Sequence, residues 1–278
     1  MSQTRTQNLS ISLNAPASTL LINNRFETMR SIIVKATLLA APLLTPYVSH
    51  NLLAQSTDQQ KAIDVDKASS MIVEQTNQFR AKSDQQPSEV NPSLQEAAKS
   101  FARFMAEKDK YGHYADGRTP AERAKAAGYK YCVVRENIAY RTDTRELDAE
   151  FLADHFTQGW IDSPEHRENM LAQYITETAV AIATIDGTTY YAVQLFGRPE
   201  SAAYRIELSN ESEKTWTLQI ESNGGMDEVD VPPRGVLKMK RCFPVTISIV
   251  DTNASLTLKD SANVKVQASD DGPTLTTN

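Results

Sequence analysis

The sequence is poor in cysteine, and it lacks the short motifs of several common enzyme classes. Its 278 residues contain two cysteines, Cys132 and Cys242, which form neither a CxxC redox pair nor a zinc ribbon. HExxH, GxSxG and glycine-rich phosphate-loop motifs are also missing, which excludes the zinc-protease, α/β-hydrolase and nucleotide-binding signatures. The two cysteines either form one disulfide between domains or stay as separate thiols, and the sequence leaves both alternatives open.

The sequence has no excess of basic charge, which argues against nucleic acid as a partner. The formal net charge is −6. Residues 1–54 hold four basic side chains and one acidic side chain, so the rest of the chain carries a net charge of −9. Proteins that bind nucleic acid neutralise phosphates with clustered Lys and Arg. We therefore expect no nucleic-acid partner.

Long apolar runs are absent from the N-terminal region, although this region has the pattern of an export signal. Arg30 and Lys35 precede a short apolar run over residues 36–44, well below the roughly 20 residues that a membrane span needs. This order is typical of a secretory signal, with cleavage after Ala54. We expect residues 1–54 to be an N-terminal extension and signal peptide, with Met1 or Met29 as the start. The mature chain would then be secreted or periplasmic without a transmembrane span; an uncleaved, membrane-anchored form is the alternative.

Apolar residues spaced three and four apart predict a helical first half. The length favours about two domains. Asn91-Pro92 and Thr119-Pro120 have the residue types that begin helices, and we expect Ser163-Pro164 to cap another. The predicted helices cover residues 61–82, 92–109, 119–128, 145–160 and 163–171.

Beyond these helices the apolar spacing changes to two, which indicates β-strands. Residues 178–184 and 189–196 flank Asp186-Gly187, the pattern of a β-hairpin. Five later segments alternate apolar with polar residues, at 204–208, 215–220, 235–240, 245–250 and 255–258. We predict an α+β domain over 60–200, a small β-sandwich or barrel over 201–268, and a disordered tail over 269–278.

Histidine is also scarce, and three of the four histidines lie outside the signal region. His113 follows a predicted helix in a loop that contains glycine, and His166 lies in the first turn of the last predicted helix. His155 lies in the middle of a helix. Histidine is the commonest metal ligand in proteins, although most histidines are structural.

Five motifs that include two of these histidines occur in an order that is found in a known family. They are Gly112-His113-Tyr114, Glu122, Glu136-Asn137-Ile138-Ala139, Trp160 to Asn169, and Tyr191 to Gly197. In this order they resemble the bacterial branch of the CAP superfamily, which includes cysteine-rich secretory proteins, insect antigen 5 and plant pathogenesis-related proteins. The resemblance covers residues 68–199. It implies a three-layer alpha-beta-alpha sandwich with a central cleft where His113, Glu122, Glu136 and His166 converge.

The four cleft residues implied by the resemblance suit a divalent metal such as zinc. His113 and His166 would supply nitrogen ligands, and Glu122 and Glu136 would bind the ion, orient the imidazoles or act as a general base. Two structural alternatives stand beside these roles. Glu122 has the spacing of a capping box with Thr119, and Glu136 has Arg135 and Arg141 as possible surface partners.

Further residues near these motifs have supporting roles to consider. Tyr114 would line the cleft, whereas Asn137, Asn169 and Gln194 have the character of residues that satisfy backbone groups. The segment Asp154 to Trp160 superficially resembles the Gly-His-Tyr-Thr-Gln signature of eukaryotic CAP proteins. In that alternative His155 replaces His166.

The leading interpretation is a secreted or periplasmic binding module. Its cleft would hold a divalent metal together with a lipid, peptide or glycan from the envelope or the extracellular space, and its β domain would be an adaptor. The alternative is a metal-dependent hydrolase that uses Glu122 or Glu136 as a base toward metal-bound water. A third interpretation makes the four residues a polar network that stiffens the cleft.

Overall fold

The computed structural model describes residues 63–277. The predicted signal segment and both possible start residues lie outside this part of the chain. Within residues 63–277, no helix combines the length and the apolar composition that a membrane crossing requires.

The first part of the described chain contains five helices and one four-stranded sheet. The helices are α1 Val65–Lys82, α2 Pro92–Lys108, α3 Pro120–Ala126, α4 Ala149–Asp162 and α5 Pro164–Met170. The strands are β1 Glu89–Val90, β2 Tyr131–Thr142, β3 Glu177–Ala183 and β4 Thr189–Pro199, in the order β1-β3-β4-β2. All five predicted helices and the hairpin are confirmed. Strand β2, which forms one edge of the sheet, was not predicted.

Helices cover both faces of this sheet, which confirms the three-layer architecture. On one face α1 and α4 bury Ile72, Phe156 and Trp160 against the strands. On the other face α2 and α3 bury Phe101 and Ala124. Because strand residues alternate between faces, neighbouring residues of β2 belong to different layers.

Side-chain capping explains where four of the five helices begin, and α5 is the exception. The Asn91 side chain accepts hydrogen bonds from the backbone N–H groups of Ser93 and Leu94 at the start of α2. Thr119 and Glu122 form a capping box at the start of α3. Ser163 is the N-cap residue of α5 and Pro164 takes the first helical position, as predicted, but the Ser163 side chain makes no capping hydrogen bond. Pro164 therefore accounts for the start of this helix.

Residues 204–277 form eight strands in two sheets. The strands are β5 Tyr204–Asn210, β6 Trp216–Ser222, β7 Gly225–Val231, β8 Val236–Arg241, β9 Val245–Ile249, β10 Ser255–Leu258, β11 Ala262–Ser269 and β12 Gly272–Thr277. The sheet orders are β10-β9-β6-β7 and β12-β11-β5-β8. Both sheets contribute to one apolar core, which makes this part a sandwich rather than a barrel.

The C-terminal tail is ordered, so the prediction of a disordered segment over 269–278 was wrong up to residue 277. Strand β12 pairs antiparallel with β11 along its whole length. Gly272 follows a two-residue turn with a φ of 115°, a value that glycine adopts without strain. The polar composition that predicted disorder belongs instead to an exposed edge strand.

A disulfide joins the two parts of the structure. Cys132 near the start of β2 bonds to Cys242 just after β8, with a Cα–Cα distance of 5.4 Å and a sequence separation of 110. An ion pair between Lys240 and Glu200, at 2.7 Å, lies in the same region. Of the two alternatives for the cysteines, the disulfide is therefore the one that the structure shows.

Candidate functional site

Glu136 lies in the middle of the edge strand β2, with its carboxylate almost fully buried. Its side chain is 1% exposed. Arg123 of α3 donates hydrogen bonds from Nη2 to both carboxylate oxygens, at 2.9 and 2.7 Å. The alternative of a surface pair with Arg135 or Arg141 does not hold, because these two side chains project from the opposite face of the strand. They pair with Glu168 and Asp143 instead.

Arg123 is the main residue of the site that sequence reasoning missed. Its side chain is 4% exposed and also donates to Asp116 Oδ1 at 2.8 Å and to the His113 carbonyl at 3.0 Å. The guanidinium carbon lies 3.5 Å from the centre of the Phe101 ring. Arg123 therefore holds the loop that carries His113 against β2. The sequence did contain one signal of its burial, because Arg123 stands beside the apolar Ala124 on the inward face of a short capped helix.

His113 is oriented by Glu136. The distance from His113 Nδ1 to Glu136 Oε1 is 2.8 Å. A carboxylate only accepts hydrogen bonds, so Nδ1 carries the hydrogen and Nε2 of the neutral ring carries the lone pair. The His113 side chain is 44% exposed, and Nε2 makes no hydrogen bond within residues 63–277. This is the arrangement in which a carboxylate orients a metal-binding imidazole.

His166 lies in α5, which packs on the other side of β2. Burial, followed by the nearby His113, lowers the pKa of His166 below its ordinary value of 6.5. The ring is therefore neutral at neutral pH and keeps a lone pair for a ligand. Neither ring nitrogen makes a hydrogen bond to any of the described residues. His166 thus lies close enough to His113 for one imidazole to affect the pKa of the other.

Two asparagines connect α5 to the edge strand. Asn137 donates from Nδ2 to the His166 carbonyl at 3.1 Å. Asn169 donates from Nδ2 to the Asn137 side chain at 2.9 Å and to the Glu136 carbonyl at 3.2 Å. Both make backbone contacts of the kind expected for them. Gln194 differs, because its amide donates to the Thr76 hydroxyl at 2.9 Å rather than to a backbone group.

Side chains from both layers also reach the Ile138 carbonyl on β2. The Tyr111 hydroxyl donates to it at 3.1 Å, and Trp160 Nε1 donates at 3.4 Å. Together with Asn169 on the Glu136 carbonyl, these bonds occupy two alternate carbonyls of the edge strand. The site therefore lies along the edge of the sheet, where the two helical layers meet.

Glu122 lies in the capping box of α3 and contacts neither histidine ring by a hydrogen bond. Its Oε2 atom accepts from the backbone N–H and the hydroxyl of Thr119, at 2.8 and 3.0 Å. These hydrogen bonds lower the pKa of Glu122. Among residues 63–277, no three His, Cys, Asp or Glu side chains are close enough to hold a metal together. The structure thus brings Glu136 to His113 but leaves Glu122 with its helix cap.

His155 and Tyr114 are both exposed, and only Tyr114 neighbours the site. The guanidinium of Arg141 lies 3.3 Å from His155 Nε2, and the Phe151 ring stacks on the imidazole. Burial, followed by Arg141, lowers the pKa of His155. His155 therefore belongs to a separate surface cluster, whereas the pKa of His166 is affected by His113. Tyr114 stands next to His113 in the chain, on an open surface.

Comparison with known proteins gives one family match. The family model described as CAP, the cysteine-rich secretory protein family, matches residues 73–196. None of the curated proteins matches the chain.

Solved bacterial structures similar to the chain cover about half of it. An outer surface protein from Borrelia burgdorferi is 20% identical, with 49% of this chain and 96% of that chain covered and a TM-score of 0.44. An extracellular SCP-domain protein from Bacillus anthracis is 20% identical, with 48% and 41% covered and a TM-score of 0.40. A cysteine-rich secretory protein from Staphylococcus aureus is 18% identical, with 49% and 39% covered and a TM-score of 0.37. The chain thus spans less than half the length of the Bacillus and Staphylococcus proteins.

Proposed function

We propose that this is an exported binding protein whose edge site holds a divalent metal ion through His113 and His166. The match of residues 73–196 to the CAP family model supports the proposal. The observation that carries the proposal is the pairing of His113 Nδ1 with the buried Glu136 carboxylate. This pairing leaves Nε2 of the half-exposed His113 ring without a hydrogen-bond partner among the described residues, and His113 affects the pKa of His166.

The donor set fits a weakly held ion such as Zn²⁺. Neutral imidazole nitrogens are good zinc ligands, and structural zinc sites use four protein ligands. Here two imidazoles supply nitrogen, and water would complete the coordination. We therefore expect an affinity well below that of a structural zinc site. Glu136 orients His113 and is not counted as a ligand, because Arg123 bonds to both of its oxygens.

The geometry favours binding over hydrolysis. A hydrolase of the expected kind needs a carboxylate that takes a proton from metal-bound water. Glu136 is 1% exposed and is paired with Arg123, and Glu122 is engaged by Thr119. Neither carboxylate is free to act on a water molecule beside the histidines. A bound ion would instead offer its open positions to an oxygen atom of a ligand.

Two features support export. Residues 29–54 have the pattern of a secretory signal, although they lie outside the described residues. The disulfide between Cys132 and Cys242 is of the kind that persists in oxidising compartments. Fractionation of the producing cells, with the chain tracked by an antibody, tests this part of the proposal. Recovery of the chain in the cytoplasm with residues 1–54 intact would contradict it.

Titration calorimetry with Zn²⁺ tests the metal site. We expect one saturable site in the wild-type protein, lost in both His113→Ala and His166→Ala. The matched control is His155→Ala, which should bind as the wild type does. Absence of binding, or binding that is indifferent to His113 and His166, would leave the network as a structural feature of the cleft.

A further inference from the structure

We propose that Tyr111 and Tyr140, here called the tyrosine platform, bind a neutral glycan of equatorially substituted pyranose units. The inference deepens the proposed function by naming the ligand class. It rests on the proposed metal site only for contacts between His113 and the hydroxyl groups of the glycan.

The two tyrosines form an exposed aromatic surface. Tyr111 is 49% exposed and Tyr140 is 54% exposed, although the two side chains are in direct contact. Their ring centres are 5.0 Å apart with an interplanar angle of 62°. The platform is therefore a bent surface with two accessible rings.

Internal contacts hold both rings in place. The Tyr111 hydroxyl is anchored on the Ile138 carbonyl. Tyr140 stacks on the buried Tyr191 with ring centres 5.9 Å apart, and the Tyr191 hydroxyl donates to Asp109 at 2.7 Å. A ligand that covers the platform therefore loses little side-chain entropy in ordering it, and such preorganised tyrosines are effective recognition surfaces.

The platform adjoins the loop that carries His113. Glu136 and Ile138, which precede Tyr140 at every second position of β2, are buried, so the strand face itself offers no open path to the histidine. The connection runs through the loop instead, because Tyr111 precedes His113 by two residues. A chain that covers the Tyr111 ring therefore lies beside His113.

The chemistry of this surface fits a neutral glycan better than other ligands. A pyranose with equatorial substituents has an apolar C–H face and a rim of hydroxyl groups, which match an exposed ring and the imidazole of His113 in the same loop as Tyr111. The net charge of −6 disfavours polyanions such as nucleic acid. An acyl chain needs an apolar cavity, whereas this surface is open. Two cavities, of about 480 and 600 Å³, have neither tyrosine in their lining.

Titration calorimetry with a β-1,4-linked N-acetylglucosamine hexamer tests the proposal on the full mature protein, once in EDTA and once with Zn²⁺. We expect the wild type to bind the hexamer. Tyr140→Ala should weaken the binding about tenfold, equivalent to about 1.4 kcal/mol. Tyr140→Phe should bind nearly as well as the wild type, because the ring remains. Tyr174→Ala is the matched control, since Tyr174 is also exposed but packs against Phe243, away from the platform.

The outcomes separate this proposal from the metal proposal. Hexamer binding in EDTA that depends on Tyr140 supports the platform even when Zn²⁺ does not bind. Absence of hexamer binding overturns the platform whatever the result with zinc. The platform is also overturned when Tyr140→Ala and Tyr111→Ala both bind the hexamer as tightly as the wild type. A proline-rich decapeptide is the second probe, because aromatic surfaces also bind such peptides. Binding of the peptide but not the hexamer, dependent on Tyr140, would assign the surface to a protein partner and overturn the proposal.

Discussion

Arg123 is the residue whose truncation we expect to be most costly for stability. Its guanidinium is 4% exposed, and its closest charged partner, Glu136, is 1% exposed. Replacing Arg123 by Met keeps an unbranched apolar side chain but removes the charge and the guanidinium that lies over Phe101. Glu136 then becomes a buried carboxylate without a cation, while Asp116 and the His113 carbonyl lose hydrogen bonds as well.

The magnitude follows from the burial of both partners. Removing one member of a buried ion pair costs about 3–5 kcal/mol, because the other charge stays desolvated and uncompensated. For a protein of this size, that loss lowers the melting temperature by roughly 6–20 °C. Replacing both partners by apolar residues is often nearly neutral, so the double variant Arg123→Met/Glu136→Leu should recover most of the lost stability.

Urea unfolding of the wild type, the two single variants and the double variant measures this coupling. Lys238→Met is the control, because Lys238 pairs with Glu207 on the exposed surface of the sandwich, where a pair contributes about 0–1 kcal/mol. A loss below about 1 kcal/mol in Arg123→Met would refute the reasoning, since it would mean that water or another cation compensates Glu136. So would a double variant that is less stable than both single variants.

Three further predictions follow from the site and the disulfide. Asn169→Ala should weaken Zn²⁺ binding by about tenfold without abolishing it, because Asn169 ties α5 to β2; unchanged affinity in calorimetry would contradict this role. Replacing Cys132 and Cys242 together by Ala should lower the free energy of unfolding by about 2–5 kcal/mol. Reduction of the wild type should match that loss in urea titrations, and a loss near zero would argue against the bond. The folded-state pKa of His166 is below 6.5, so the unfolded chain takes up this proton first as the pH falls. Stability should therefore decrease as the pH drops below about 6.5, and His166→Asn should reduce that decrease; a midpoint for His166 above 6.5 by NMR would contradict it.

Helix starts and the hairpin were predictable because their signals are local. Proline and a capping side chain begin α2 and α3, and Asp186-Gly187 marks the turn between β3 and β4. The capping-box alternative for Glu122 was local in the same sense, and it is the contact that the structure shows. Such features depend on residues three or four positions apart, so the sequence alone contains them.

The rest of the site depends on contacts between distant segments. Strand β2 carries Arg135, Glu136 and Asn137 in succession, so apolar residues do not alternate clearly and the strand pattern is hidden. Glu136 and Asn137 are buried only because α3 and α5 pack over the two sides of the strand. Arg123 was missed for the same reason, since its partner lies 13 positions away on another element. The family resemblance located His113 and Glu136, but it did not predict the Arg123 guanidinium that links α3 to the strand.

The side-chain hydrogen bonds along β2 have a consequence for how copies of this protein meet. A 12-residue edge strand with open carbonyls is a template on which a strand of a second molecule can add, the first step toward aggregation. Here the carbonyls of Glu136 and Ile138 already accept bonds from Asn169, Tyr111 and Trp160. The centre of the strand is therefore closed to an incoming chain. The residues that shape the site thus also keep concentrated protein from polymerising through this edge.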